Sequence, residues 1–142
     1  MYQYKCEVNR VVDGDTIDVT LDLGFSILHK CRVRLYGIDT PESRTKDLDE
    51  KARGKLAAKF LEDSIKNGKE ILLKSELKDS KGKYGRVLGS IFVDNLNINE
   101  AMVAQNLAVK YNGQSKDDVE AAHMANRKIL LQNKAYSVPG DI

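Results

Sequence analysis

An α+β fold, with a five-stranded β-barrel at its core and three helices around it, is what the sequence predicts. Three observations lead there. Residues 16–23 alternate apolar and polar side chains without a break, the period of a half-buried strand. Four further short apolar runs are bounded by turn residues, and a helical pattern falls between the third and fourth strands of the series. Two more helical segments follow the last strand.

The first strand covers residues 4–12 and ends at Asp13-Gly14, a dipeptide that reverses hairpins. The second, residues 16–23, sets Ile17, Val19, Leu21 and Leu23 on one face and Thr16, Asp18, Thr20 and Asp22 on the other; Gly24 stops it. The third runs over 29–36, with Cys31, Val33 and Leu35 inward and Arg32, Arg34 and Tyr36 outward. Pro41 ends it, and residues 42–49 form a polar surface loop. A helix over 49–67 buries Ala57, Phe60, Leu61, Ser64 and Ile65, and Gly68 closes it in the left-handed conformation. The fourth strand takes residues 70–77, residues 79–82 turn, and the fifth strand takes 87–93. Asp94-Asn95 reverses the chain again. Asn99 caps a short helix, with Glu100 in its first turn and an end at Asn106, which tolerates positive φ. Past the loop at Tyr111-Asn112-Gly113, a last helix over 116–133 carries Val119, Ala122, Ile129 and Leu130. Residues 137–142 make a loose tail.

No repeat, linker or low-complexity tract interrupts this series, so the 142 residues read as one domain with its core over 4–134. Five short strands with a helix between the third and fourth suit a barrel of the oligonucleotide-binding type. Element order alone leaves other α+β arrangements open.

With 23 basic and 21 acidic residues the net charge is only +2, so attraction for nucleic acid has to come from local clusters. Cys6 and Cys31 lie in strands among apolar residues and are expected to stay reduced. The first residues lack a signal-peptide core, and no run approaches the ~18 apolar residues of a membrane span. A cytoplasmic monomer without membrane association is the expectation. His29 and His123 are far apart, and no His-x-x-x-His, Cys-x-x-Cys, phosphate-loop or nucleophile-elbow pattern occurs. Zinc chemistry and a histidine-based nuclease are therefore not expected.

The stretch from Arg34 to Glu42 packs a guanidinium and two acids where a strand gives way to a turn. Such a cluster can hold a divalent cation and a phosphate together, the requirement of a metal-assisted phosphodiesterase. Asp15 and Asp39 are candidate cation ligands; the plainer alternative is that each caps its own turn. Glu42 is the candidate for orienting or deprotonating the attacking water, against a solvated loop charge. Arg34 and Arg86 are candidate phosphate clamps, because a planar guanidinium fork matches two phosphate oxygens. Lys83 adds a phosphate contact, and Tyr84 and Tyr111 could stack on a base.

Taken together, Val11 to Thr16, Arg34 to Glu42, Lys83-Tyr84-Gly85-Arg86 and Asn99 to Val103, with Leu107-Ala108 just beyond, resemble the staphylococcal nuclease (thermonuclease) family in order and spacing. The resemblance implies a five-stranded barrel with three helices and a Ca2+-dependent nuclease acting on DNA and RNA. By position it makes Asp15 and Asp39 side-chain calcium ligands, with the Thr40 carbonyl a third, and Asp13 a water-linked acid nearby. Glu42 becomes the general base or water-positioner, and Arg34 and Arg86 the groups that bind the phosphate and stabilise its transition state. Lys83, Tyr84 and Tyr111 line the nucleotide site. In that family the bond broken is P–O5′, leaving 3′-phosphate ends. The chain departs from the family around Tyr111, where a second tyrosine is missing, in the loop over 43–54, and in a tail without tryptophan. It looks like an intracellular or phage-encoded relative. The main alternative is a non-catalytic module of the same barrel that binds nucleic acid or protein, and a third is a barrel with only a structural role.

Overall fold

Apolar residues at alternate positions let β1 (Gln3–Asp13), β2 (Thr16–Asp22) and β3 (Leu28–Leu35) pair as an antiparallel meander in the computed structural model, which describes residues 2–76 and 87–139. β1 pairs on its other edge with β5 (Ile71–Ser75), and β5 pairs with β6 (Val87–Val93), both antiparallel. β6 then runs parallel to β3, with Val33 opposite Val87 and Leu35 opposite Gly89. That last pairing closes a five-stranded mixed barrel and removes the open sheet edges. Helices α1 (Leu48–Lys66), α2 (Ile98–Ala104) and α3 (Lys116–Gln132) accompany it. The fold is the α+β barrel that the sequence predicts.

Ile17, Val19 and Leu21 of β2 meet Val33 and Leu35 of β3 inside the barrel, together with Leu73 and Ile91. Ala57 and Leu61 of α1, Ile98 and Met102 of α2 and Leu130 of α3 join the same cluster. A fully buried aliphatic side chain contributes ~1.5–3 kcal/mol, so this cluster outweighs any helix propensity. The register of β1 against β2 slips between Val8 and Arg10 and again between Val11 and Asp13. Each slip adds a residue to β1 and coils it, and the second re-aims Asp13 at the strand's end.

Several expectations need correction. Leu23 does not continue the inward face: β2 stops at Asp22, whose Oδ1 accepts from the Gly24 N–H at 2.9 Å, and the hairpin tip leaves the barrel with Phe25 almost wholly exposed. Gly68 is not left-handed; Asn67 ends α1 in the right-handed region, and a Cβ on Gly68 would collide with Val93. The N-cap of α2 is Asn97, whose side chain accepts from the Glu100 N–H at 3.1 Å. Asn99 is instead buried, accepting from Ile91 N–H at 3.2 Å and donating to the carbonyls of Tyr36 at 2.9 Å and Gly89 at 3.3 Å. On α3 the buried face is carried by His123 and Leu130, while Ile129 is exposed. Asn106 does take positive φ, as does the Asp94-Asn95 pair in the turn before β7 (Leu96–Asn97). Two-residue strands β4 (Ile38–Asp39) and β8 (Val109–Lys110), like β7, were too short for periodicity to mark.

Cys6 and Cys31 are both free. Cys6 lies opposite Leu21 and Cys31 opposite Val19, on the two flanks of β2. Strands β1 and β3 are two spacings apart, ~9.5 Å, which exceeds the reach of a disulfide. Burial, with a lesser contribution from the charge of Cys31, pushes Cys6 up to about 11, and burial raises Cys31 too, so neither thiol is a ready nucleophile.

Candidate active site

Asp15 sits in the two-residue turn between β1 and β2, where its carbonyl accepts from the Leu35 N–H at 2.8 Å and ties the turn to β3. A Cβ on Gly14 would stand 2.8 Å from Ala57 Cβ and 3.1 Å from Thr40 Oγ1, so glycine here lets α1 and the Thr40 segment approach. The carboxylate of Asp15 is held on both oxygens. Oδ1 accepts from Thr16 Oγ1 at 3.0 Å and Oδ2 from the Thr40 N–H at 3.3 Å.

Arg34 projects from β3 between two acids. Its Nη1 lies 3.4 Å from Asp15 Oδ2 and donates to the Leu35 carbonyl at 3.0 Å; its Nη2 lies 3.6 Å from Asp39 Oδ1. Gly37, at φ 77°, turns the chain from β3 into β4, and Tyr111 N–H donates to the Gly37 carbonyl at 2.8 Å. β4 carries Asp39 and pairs with β8, Asp39 opposite Val109. Thr40 and Pro41 are buried and Glu42 emerges beyond them.

Glu42 is positioned by α1. Its N–H donates to Glu50 Oε2 at 3.0 Å, and α1 comes so close that a Cβ on Gly54 would stand 2.6 Å from the Glu42 carbonyl carbon. Next to it, the Ser43 hydroxyl donates to Asp13 Oδ1. Partial burial of the carboxyl raises the pKa of Glu42, and the charges of Asp15, Asp13, Asp39 and Glu50 raise it further.

Asp13, Asp15, Asp39 and Glu42 thus line one cavity of about 250 Å³ with Thr16, Arg34, Thr40 and Pro41. A second cavity of about 320 Å³ adjoins it, with Leu35, Tyr36, Ile38, Leu88 and Tyr111 in its wall and Arg34 common to both. Of the residues singled out in the sequence, seven (Asp13, Asp15, Arg34, Asp39, Thr40, Glu42 and Tyr111) are therefore gathered in two contiguous cavities. Lys83, Tyr84 and Arg86 lie outside the described residues.

Sequence reasoning missed three side chains at this site. His123 of α3 places Nε2 at 2.8 Å from Asp39 Oδ2. Glu50 and Ser43 hold the loop as described. For His123 a signal existed: with Val119 and Leu130 it falls on the inward stripe of its helix, and a buried imidazole needs a polar partner. No such signal pointed to Glu50 or Ser43.

Residues 32–137 match the model of a family described as staphylococcal nuclease homologue, a span that takes in Arg34, Asp39, Thr40, Glu42 and Tyr111. The chain is 30% identical over 135 residues to an SPbeta prophage-derived endonuclease, YokF, of Bacillus subtilis, covering 89% of this chain and 44% of that protein. It is 31% identical over 101 residues to endonuclease YncB of the same organism, covering 71% and 45%. Against the thermonuclease of Staphylococcus intermedius it is 33% identical over 101 residues, covering 71% and 56%. The chain spans about half the length of these relatives. A family match over most of the chain, on a closed five-stranded barrel with three helices, puts the protein in the staphylococcal nuclease homologue family.

Proposed function

We propose that the protein is a Ca2+-dependent nuclease that hydrolyses phosphodiester bonds of DNA and RNA at P–O5′, leaving 3′-phosphate ends. The observation that carries the proposal is Arg34, one guanidinium shared by a carboxylate-lined cavity and an aromatic-walled one. A phosphate with a nucleoside attached needs such a pair of neighbouring environments. The nuclease relatives support the activity.

The donor set fits a hard cation. The carboxylates of Asp13, Asp15, Asp39 and Glu42 face one small cavity with Arg34 as the cation between two of them, and calcium accepts carboxylate, carbonyl and water oxygens together. Among the described residues, no three acidic, imidazole or thiol side chains are close enough to hold a metal unaided. Two side-chain ligands, Asp15 and Asp39, with the Thr40 carbonyl and water are therefore the set we assign. Asp13 would reach the ion through water. A cation bound there neutralises the phosphate and raises its electrophilicity.

The other roles belong to the chain itself. Glu42, its carboxyl poised by the surrounding charges, takes the proton of the attacking water as the oxygen–phosphorus bond forms. O5′ departs and takes a proton from solvent to end as a hydroxyl, and Glu42 releases its own proton to solvent. Arg34 and Arg86 hold the equatorial oxygens as their charge grows. Lys83, Tyr84 and Tyr111 bind the nucleotide, Tyr111 from the wall of the apolar cavity.

Cleavage of single-stranded DNA by the purified protein, with calcium, with magnesium alone and with chelator, tests the proposal. Calcium-dependent cutting stopped by the chelator is expected, since magnesium demands a stricter octahedral sphere. A folded protein that binds DNA without cutting at any calcium level would make it a binding module instead.

A further inference from the structure

Helix α3 reaches the acidic cavity through one side chain. His123 is buried, and its Nε2 stands 2.8 Å from Asp39 Oδ2. The other oxygen of Asp39, Oδ1, lies on the side of Arg34, 3.6 Å from Nη2. Asp39 itself sits on a strand of two residues, its backbone held by the short pairing with β8 and by the Thr40 N–H bond to Asp15 Oδ2. Its carboxylate can still rotate unless something outside the strand stops it. An ionised carboxylate only accepts, so the imidazole must be the donor in this contact, which fixes its Nε2–H form.

We infer that His123 is a positioning residue for the cation site: by donating to Asp39 Oδ2 it fixes the carboxylate plane and keeps Oδ1 turned to the cavity. Partners of this kind, one bond beyond the ligands, hold ligand geometry, and their loss typically lowers metal affinity ~10–100-fold. The inference rests on the calcium assignment made above. The plain alternative is that the contact only docks α3 on the barrel, as Leu130 does by packing. That alternative predicts a loss of stability and no change in cation affinity.

Calorimetric titration of the whole chain with Ca2+, without nucleic acid, separates the two. His123→Leu keeps the bulk and removes the donor; it is expected to weaken calcium binding ~10–100-fold in protein that remains folded. His123→Gln, whose amide nitrogen can stand in for Nε2–H, is expected to recover most of that loss. Leu130→Ala, which loosens α3 without touching Asp39, should lower the melting temperature and leave affinity unchanged. Should His123→Leu fail to fold, His123→Asn, too short to reach Asp39, takes its place. Binding by the leucine or asparagine variant within about threefold of wild type would overturn the inference while leaving the calcium assignment intact; a difference that small is under ~0.7 kcal/mol. No calcium binding by the wild-type protein would overturn both.

Discussion

At the scale of single residues, the site is a concentration of negative charge with one guanidinium, that of Arg34, inside it among the described residues. Glu42 registers that field: burial of its carboxyl, then Asp15, Asp13, Asp39 and Glu50, all disfavour its anion. A carboxyl raised in this way favours the folded state below its unfolded value, and that contribution is lost as pH rises through the raised value. In chelator, carboxyl carbon NMR should show Glu42 titrating above the other glutamates. Calcium should bring it down, because a cation favours the anion, and so should Asp13→Asn, which removes one of the opposing charges. As the proton acceptor must be ionised, the acid limb of cleavage should follow Glu42 downward in Asp13→Asn. A Glu42 that titrates with the ordinary glutamates, unmoved by calcium, would remove it from the site's electrostatics.

At the scale of elements, the positions of the acids come from contacts between segments distant in sequence. The five long strands and three helices were legible because each has its own periodicity and turn residues, as in the clean alternation of 16–22. The segment of Asp13 and Asp15 and that of Arg34 to Glu42 were legible too, since they fall at the ends of those strands. What could not be read were links with no periodicity. β4 pairs with β8 over two residues each, and His123 meets Asp39 from 84 positions away. Asn99 looked like a cap because asparagine often is one; burial between Tyr36, Gly89 and Ile91 decides otherwise.

Gly54 shows how an element sets the site. In an exposed helix, alanine would improve on glycine by ~1 kcal/mol. Here a Cβ would stand 2.6 Å from the Glu42 carbonyl carbon and oxygen and 2.7 Å from the Pro41 oxygen, and these are backbone atoms that cannot swing aside. Overpacking of that kind costs ~1–3 kcal/mol, which outweighs the helical gain. Gly54→Ala should therefore lose up to ~2 kcal/mol in urea denaturation. Cleavage should fall further than stability explains, because the displaced residue is Glu42. A variant that gained ~1 kcal/mol would mean the Glu42 loop yields freely and α1 does not fix it.

At the scale of the whole molecule, the first turn of α1 ties the last helix and the tail to the barrel. Asp49 Oδ2 accepts from Arg127 Nε at 2.8 Å, and its Oδ1 accepts from the Tyr136 hydroxyl at 2.9 Å. Arg53, one turn along α1 and buried, keeps its Nε 3.5 Å from the same carboxylate, a distance beyond a good hydrogen bond. Asp49 is thus the counter-charge for a guanidinium that, among the described residues, has no other polar partner at Nε. Burial works to raise its pKa, yet the hydrogen bonds from Arg127 and Tyr136 and the charges of Arg127 and Arg53 outweigh it and hold Asp49 below the usual range. A depressed carboxyl contributes stability above its unfolded value, and that contribution is lost as pH falls through the folded one. Asp49→Asn should therefore cost ~3 kcal/mol at neutral pH, the low end for stranding a buried charge. Urea denaturation of both proteins between about pH 7 and pH 3 should show that difference constant down to ~4 and shrinking below it, as wild-type Asp49 is itself neutralised. A stability difference that stayed level through the acid range would show that packing around Tyr136, and not the Asp49 charge, fastens α3 to α1.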